Sequence, residues 1–328
     1  MKTSEIDFHL PRELVTYGPT PFRGDARLMV LDRKMGNISY HHFSELESLL
    51  YGYEVWVNDL KLLRGRIKLW RDTGHVADVT LMRRTGAPGR WIAQICAAYD
   101  ILNERRYWKT EDGIKCKIIG RPEVDNEGDQ WEIEFEKELD LEKIGKICLP
   151  PWVRQPENRE QEKWYEPIYA ARGEGLFSPS AGINITEELE KSLYLKKLTL
   201  HLNFDHIRSI ETDTLEEHGA KLKPERYEIL GDAPSDTKPT CAIGTTTMKA
   251  LETYARTWMM DGESDLFISP PFEFQIVKAF ITNFHLPRES LLALTCAFGG
   301  TDAVMGAYHE AIREKYRWSD YGDSFLVI

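Results

Sequence analysis

The stretch Phe274-Gln-Ile-Val-Lys-Ala-Phe-Ile281 runs into Thr282-Asn283-Phe284-His285-Leu286-Pro287-Arg288-Glu289-Ser290 and then into Leu291-Leu-Ala-Leu-Thr-Cys-Ala-Phe298, closed by Gly299-Gly300. An apolar run, a short polar turn and a second apolar run at helical spacing predict a strand, a turn and a helix. That order puts the turn at the carboxyl edge of a sheet, where open α/β folds hold their ligands. Pro287 restrains the turn, and Ser290 is the expected helix N-cap. Two readings stay open here. In one, Asn283 and His285 face a ligand; in the other, His285 only bonds neighbouring backbone.

Working outward, Thr240-Cys-Ala-Ile243 has the pattern of a buried strand and meets Gly244-Thr245-Thr246-Thr247 at the start of a helical run, Met248-Lys-Ala-Leu-Glu-Thr-Tyr254. A glycine turn with three hydroxyls at a helix start suits a carboxylate or phosphate, and equally suits ordinary threonine capping. A further helix is predicted over 303–317 and a closing strand over Phe325-Leu-Val-Ile328. Upstream, strands are expected at Arg27–Asp32, from Ile38, at Glu54–Asn58 and at Leu195–His201, with helical spacing at 43–50 and at Glu187–Leu193. Asn58-Asp59 is a polar strand end. Gly173-Glu-Gly175 and Ser178-Pro-Ser-Ala-Gly182 form a loop whose small residues allow close backbone approach.

Between 62 and 148 the texture changes to short alternating segments, Gly65–Trp70, Ala77–Met82, Arg90–Cys96, Ile114–Ile119 and Gln130–Phe135, separated by turn signals. Such alternation without helical runs predicts a small antiparallel β-barrel. Leu149-Pro-Pro151 marks the return of the chain. The expected architecture is α/β: a discontinuous catalytic domain, 1–61 and 149–328, carrying an inserted barrel domain, 62–148. Trp70, Trp91 and Trp131 are expected in the barrel core.

The 328 residues carry a net charge of −11, with 42% hydrophobic and 29% charged residues, an ordinary globular composition. That charge argues against generic nucleic-acid binding, which rests on Lys and Arg displacing counterions. One local basic cluster stands out, Lys61, Arg64, Arg66, Lys68 and Arg71, with Arg83-Arg84 and Arg105-Arg106 behind it. Five scattered cysteines without a CxxC pair predict free thiols and no metal site. Neither an apolar leader nor a run of membrane-spanning length is present in the sequence, so the cytoplasm is the expected compartment.

These motifs together resemble the S-adenosylmethionine:tRNA ribosyltransferase-isomerases of queuosine biosynthesis. The resemblance runs nearly end to end: Asp7–Pro11, Arg27–Leu31, Val57-Asn-Asp59, Leu149-Pro-Pro-Trp-Val-Arg154, Tyr165 to Tyr169, Ser178–Gly182, Thr199-Leu-His201, Gly244-Thr-Thr, Thr282–Pro287 and Tyr321-Gly-Asp323. It implies an α/β domain with an inserted barrel, no metal, and S-adenosylmethionine as a ribosyl donor to a 7-aminomethyl-7-deazaguanine in tRNA. Adenine and methionine leave, and the product is epoxyqueuosine. Ribosyl transfer needs a base for the acidified proton beside the sulfonium and an acid to help adenine depart. His285, Asp323 and His201 are the titratable groups placed in those roles. Ser178, Pro179, Ser180, Ala181 and Gly182, with Gly244, Thr245, Thr246 and Thr247, would hold the donor; Asn58, Asp59, Asn283, Asn184 and Tyr321 complete the substrate-binding set. Lys61, Arg64 and Arg66 are the expected tRNA contacts. A monomer is expected.

The chain also departs from the family pattern. Asn184 stands where the family carries a histidine, and asparagine cannot shuttle a proton near neutral pH. Leu202-Asn203-Phe204-Asp205-His206 replaces a glycine-rich segment, Leu60 and Lys61 replace a threonine and an arginine, and a second histidine beyond His218 is absent. Two alternatives remain open: a paralogue that keeps the donor and acts on a non-tRNA acceptor, or a non-catalytic RNA- or nucleotide-binding homologue.

Overall fold

In the computed structural model the described residues are 1–96, 107–122, 130–149, 159–202 and 209–328. Nine strands make one mixed sheet: β1 (Arg27–Asp32), β2 (Asn37–His42), β3 (Glu54–Asn58), β4 (Lys196–Leu200), β5 (Glu225–Ile229), β6 (Thr240–Ile243), β7 (Asp261–Ser264), β8 (Val277–Asn283) and β9 (Ser324–Val327). Their spatial order is β7-β5-β4-β3-β6-β8-β9-β1-β2. The central four, β4-β3-β6-β8, pair in parallel. Such strands are covered on both faces, which is why Cys241-Ala-Ile243 and Ala279-Phe-Ile281 read as unbroken apolar runs. Alternate residues feed two cores: Trp56, Ala242 and Phe280 face one, and Val57, Ile243 and Ile281 face the other. The edges are antiparallel and polar, as exposed edges must be to avoid further pairing.

The chain leaves β3 for β4 on one side, whereas β6 is followed by β8 on the other. The crevice between β3 and β6 is therefore the topological switch point, and the ends of those strands, Asn58 and Gly244, stand at its mouth.

Three helices shape the site: α1 (Thr245–Thr257), α2 (Ser290–Gly299) and α3 (Thr301–Arg313). The N-cap of α2 is Glu289, not Ser290, which is already helical; the Glu289 carboxylate instead accepts the Leu286 N–H at 3.0 Å. Helix α3 is shifted from 303–317, because Lys315 turns left-handed at φ 53° and ends it. Phe284, from the deciding turn, is the hub of an aromatic cluster with Tyr308, Tyr316, Trp318 and Phe325. No single helix among the described residues is long and apolar enough to cross a membrane.

Leu62–Pro150 forms one compact unit, and Met1–Lys61 with Pro151–Ile328 another. In the first, Arg66–Trp70, Val76–Arg84, Arg90–Cys96, Trp108–Lys109, Lys115–Gly120 and Gln130–Phe135 close into a six-stranded antiparallel barrel. Trp91 and Trp131 are buried, while Trp70 is half-buried. The strand Trp108–Lys109 is too short to show alternation, and sequence reasoning misses it. Arg71 is not part of a basic face: it is buried, its guanidinium 4.4 Å from the centre of the buried Trp108 ring.

Candidate active site

The β3 end is held by one amide. Asn58 Nδ2 donates to Leu200 O at 3.1 Å and to Thr246 Oγ1 at 3.0 Å, while its Oδ1 accepts from Leu60 N and Leu200 N. Asn58 thus ties the ends of β3 and β4 to the start of α1. Gly244, the N-cap of α1, adopts φ +96°, which favours glycine. Thr247 Oγ1 donates to Ile243 O at 2.6 Å, so two of the three threonine hydroxyls serve the turn itself. Thr245 is half-buried on the wall of an open groove of about 390 Å³, which the first turns of α1 and α2 share.

At the end of β8, His285 is buried with Nε2 2.7 Å from Thr282 Oγ1 and Nδ1 3.7 Å from Glu289 Oε2. Its backbone N–H donates to the Tyr308 hydroxyl. Burial pulls the imidazole down to about 3 and pushes the Glu289 carboxyl up to about 8, with Asp320 adding to the latter. At neutral pH the neutral forms of both groups are favoured, side by side. Sequence reasoning misses Glu289, because an acid at the head of a helical run reads as a partner of the helix dipole.

The small-residue loop approaches the same strand ends. Ser180 Oγ donates to Asn283 Oδ1 and Asn283 Nδ2 to Asp320 O, both at 3.4 Å. Ser178 Oγ and Asn184 Nδ2 are buried with no hydrogen-bond partner among the described residues. Pro179 caps the 3-10 turn Ser180–Gly182, and Ala181 Cβ lies 3.7 Å from where a Gly244 side chain would start. Gly182 is required by packing: a Cβ there would collide with the Tyr169 hydroxyl. Tyr321 packs against Tyr165 at 5.7 Å between ring centres, and burial raises its phenol. Arg23, which no sequence motif points to, donates to Ile183 O, Lys163 O and Glu166 O and fastens this loop.

A further cluster gathers at Asp59. Its Oδ1 accepts from Thr199 Oγ1 at 2.6 Å, and burial raises its carboxyl. His201 is half-buried and lowered by burial and then by Arg226. It lies against Gly173 (φ +75°), where a Cβ would come within 2.8 Å of the imidazole.

Asp323 immediately precedes Ser324, the register partner of Asn283. It is wholly buried, and its two oxygens accept from six donors: the backbone N–H groups of Arg27 and Arg317 and two guanidinium nitrogens of each. Every lone pair is engaged in a clamp between β1 and the approach to β9. Among the expected tRNA contacts, Lys61 and Arg66 are exposed, whereas Arg64 is half-buried and donates to Gly145 O at 3.0 Å. Asn203, Asp205 and His206, like Arg105 and Arg106, lie outside the described residues.

Burial holds the thiols away from the thiolate form. Cys116 is pushed up to about 12, Cys148 to about 11 and Cys296 to about 12 by burial. Among the described residues no three His, Cys, Asp or Glu side chains converge as a metal site.

Residues 3–327 match the family model described as "Queuosine biosynthesis protein". The chain is 31% identical over 342 aligned positions, covering 100% of both chains, to an S-adenosylmethionine:tRNA ribosyltransferase-isomerase of Sulfurihydrogenibium sp. (strain YO3AOP1). It is 33% identical over 344 positions, again covering 100% of both, to the protein of that name from Thermotoga petrophila. The crystal structure of S-adenosylmethionine tRNA ribosyltransferase from Thermotoga maritima superposes with a TM-score of 0.52 at 26% identity, covering 99% of this chain and 100% of that one.

Proposed function

This chain belongs to the queuosine biosynthesis protein family, and from that premise we propose that it is an S-adenosylmethionine:tRNA ribosyltransferase-isomerase. It moves the ribosyl unit of S-adenosylmethionine onto the aminomethyl group of a 7-deazaguanine in tRNA, releasing adenine and methionine as the ribosyl unit becomes an epoxycyclopentane. The observation that carries the reading is the full-length match, together with a polar crevice at the switch point of the sheet.

The residues divide the work. Ser178 and Asn184 supply buried polar atoms with no partner among the described residues, the condition of a site awaiting a ligand's donors and acceptors. The Gly244–Thr247 turn offers the positive end of α1 to the donor. His285 and Glu289 are the proton-handling pair. The Glu289 carboxyl gives its proton to departing adenine; the carboxylate left 3.7 Å from His285 then raises the basicity of that imidazole, which takes the proton from beside the sulfonium. The pair passes between two states of equal net charge, which keeps the desolvation penalty low. Asp323, with all its lone pairs engaged, holds the scaffold instead.

Two measurements check this. S-Adenosylmethionine at about one hundred times its Kd is expected to stabilise the protein by roughly 2.7 kcal/mol, read as a shifted melting curve. With tRNA bearing the aminomethyl-deazaguanine, adenine should appear in proportion to modified tRNA. Donor binding without transfer to tRNA overturns the tRNA assignment and favours another acceptor. If tRNA is the partner, Arg64→Ala/Arg66→Ala should weaken its binding. The slope of log affinity against log salt should flatten by about one unit for each phosphate left unneutralised. An unchanged slope removes these arginines from the tRNA surface.

A further inference from the structure

Strand β5 alternates in and out, with Tyr227 and Ile229 inside and Arg226 and Glu228 outside. Alternation calls for an apolar side chain at position 225, yet Glu225 occupies it at 1% exposure. Its partner is Lys249 on α1, at 7% exposure, with Nζ 2.8 Å from Glu225 Oε2. Both residues line the groove beside α1 and α2. An ion pair this deep loses so much hydration that well-packed apolar residues would hold the sheet as firmly. The Lys249 ammonium also has donors to spare: Glu225 is the one hydrogen-bond partner of Nζ among the described residues, and an ammonium carries three N–H groups.

Resting on S-adenosylmethionine as the donor, we propose that this groove binds the amino-acid end of that molecule, its α-carboxylate on Lys249 and its α-ammonium on Glu225. A zwitterion presents one charge of each sign a few ångströms apart, and so does the wall it would meet. The first turns of α1, at Thr245, and of α2, at Ser290, add their positive ends on the carboxylate side. Leu291 and Leu294 supply an apolar surface for the methylene chain between charge and sulfur. The ion pair is a specificity device for the donor, and the same place receives the methionine that leaves.

The test is calorimetric titration of the wild type, Lys249→Met, Glu225→Gln and the double variant with S-adenosylmethionine, 5′-methylthioadenosine and L-methionine. Methylthioadenosine keeps the nucleoside and lacks the amino-acid end. Lys249→Met is expected to weaken S-adenosylmethionine by about 10- to 100-fold, the loss of charge-assisted hydrogen bonds, while leaving methylthioadenosine within about twofold. The double variant removes both charges of the pair together; its melting curve reports whether it is folded, and in the folded state it should show the same selective loss. Equal weakening of both nucleosides, or undiminished S-adenosylmethionine binding in the folded double variant, overturns the proposal. A wild type that binds S-adenosylmethionine and L-methionine in a Lys249-dependent way but transfers nothing to tRNA keeps the subsite and removes the tRNA reading. A wild type that binds none of the three overturns both.

Discussion

Asp323→Asn is expected to destabilise the protein by about 3–5 kcal/mol, the cost of breaking a buried charge network by removing one partner. The carboxylate has no solvent exposure and receives six donors, from Arg27 and Arg317, across a sequence separation of 296 residues in the case of Arg27. Asparagine presents an amide N–H₂ where an acceptor stood, so donors would face donors. The guanidiniums, partly exposed at 36% and 31%, would turn to water, but the two backbone N–H groups could not follow. Urea unfolding should show a lower midpoint at an unchanged m-value. The same variant decides the role of Asp323: full stability with lost turnover would make it a proton carrier, whereas lost stability with normal turnover in the folded fraction confirms the clamp.

The second large effect is on turnover. His285→Ala should lower kcat by about 10²- to 10⁴-fold while S-adenosylmethionine still binds. Glu289→Gln should do likewise and also reshape the pH profile. In the wild type, activity needs the protonated Glu289 carboxyl and is lost as pH rises through about 8. It also needs a neutral imidazole, which is kept until pH falls towards about 3. Stability follows the same signs. The raised Glu289 carboxyl contributes most below the ordinary carboxyl range, and that contribution is lost as pH climbs through about 8. The lowered His285 contributes above its ordinary value of 6.5 and loses that as pH falls towards about 3. A glutamine at 289 should therefore flatten the alkaline loss of stability. A wild-type alkaline limb that persists in Glu289→Gln would assign that titration to another group, and the raised Asp59 carboxyl is the next to test.

Periodicity and turn chemistry are local, and whatever depends on them is legible in the sequence alone. The strands Arg27–Asp32, Glu54–Asn58, Arg90–Cys96, Gln130–Phe135 and Thr240–Ile243 fall where the apolar patterns place them. The deciding turn does stand at the carboxyl end of a strand, with Asn283 closing β8 and His285 just beyond it. The family motifs identified the chemistry, because they preserve residue types at sites rather than the pairings between them. Tertiary structure alone decided the partners. Lys249 and Glu225 are 24 residues apart and meet because α1 packs back over β5; no window short enough to show a period spans that distance. Glu225 even hid its own strand, since a carboxylate at an inward position breaks the alternation that announces one. The family motif Tyr321-Gly-Asp323 places Asp323 among the titratable groups without assigning it a role, and only the sheet order, which sets β9 against β1, brings Arg27 to it. Glu289 carries no signal of its own in the sequence, and the folded turn sets its carboxyl 3.7 Å from His285. Charge partners are chosen by strand order and burial, which are properties of the whole chain, whereas the elements that carry them are chosen residue by residue.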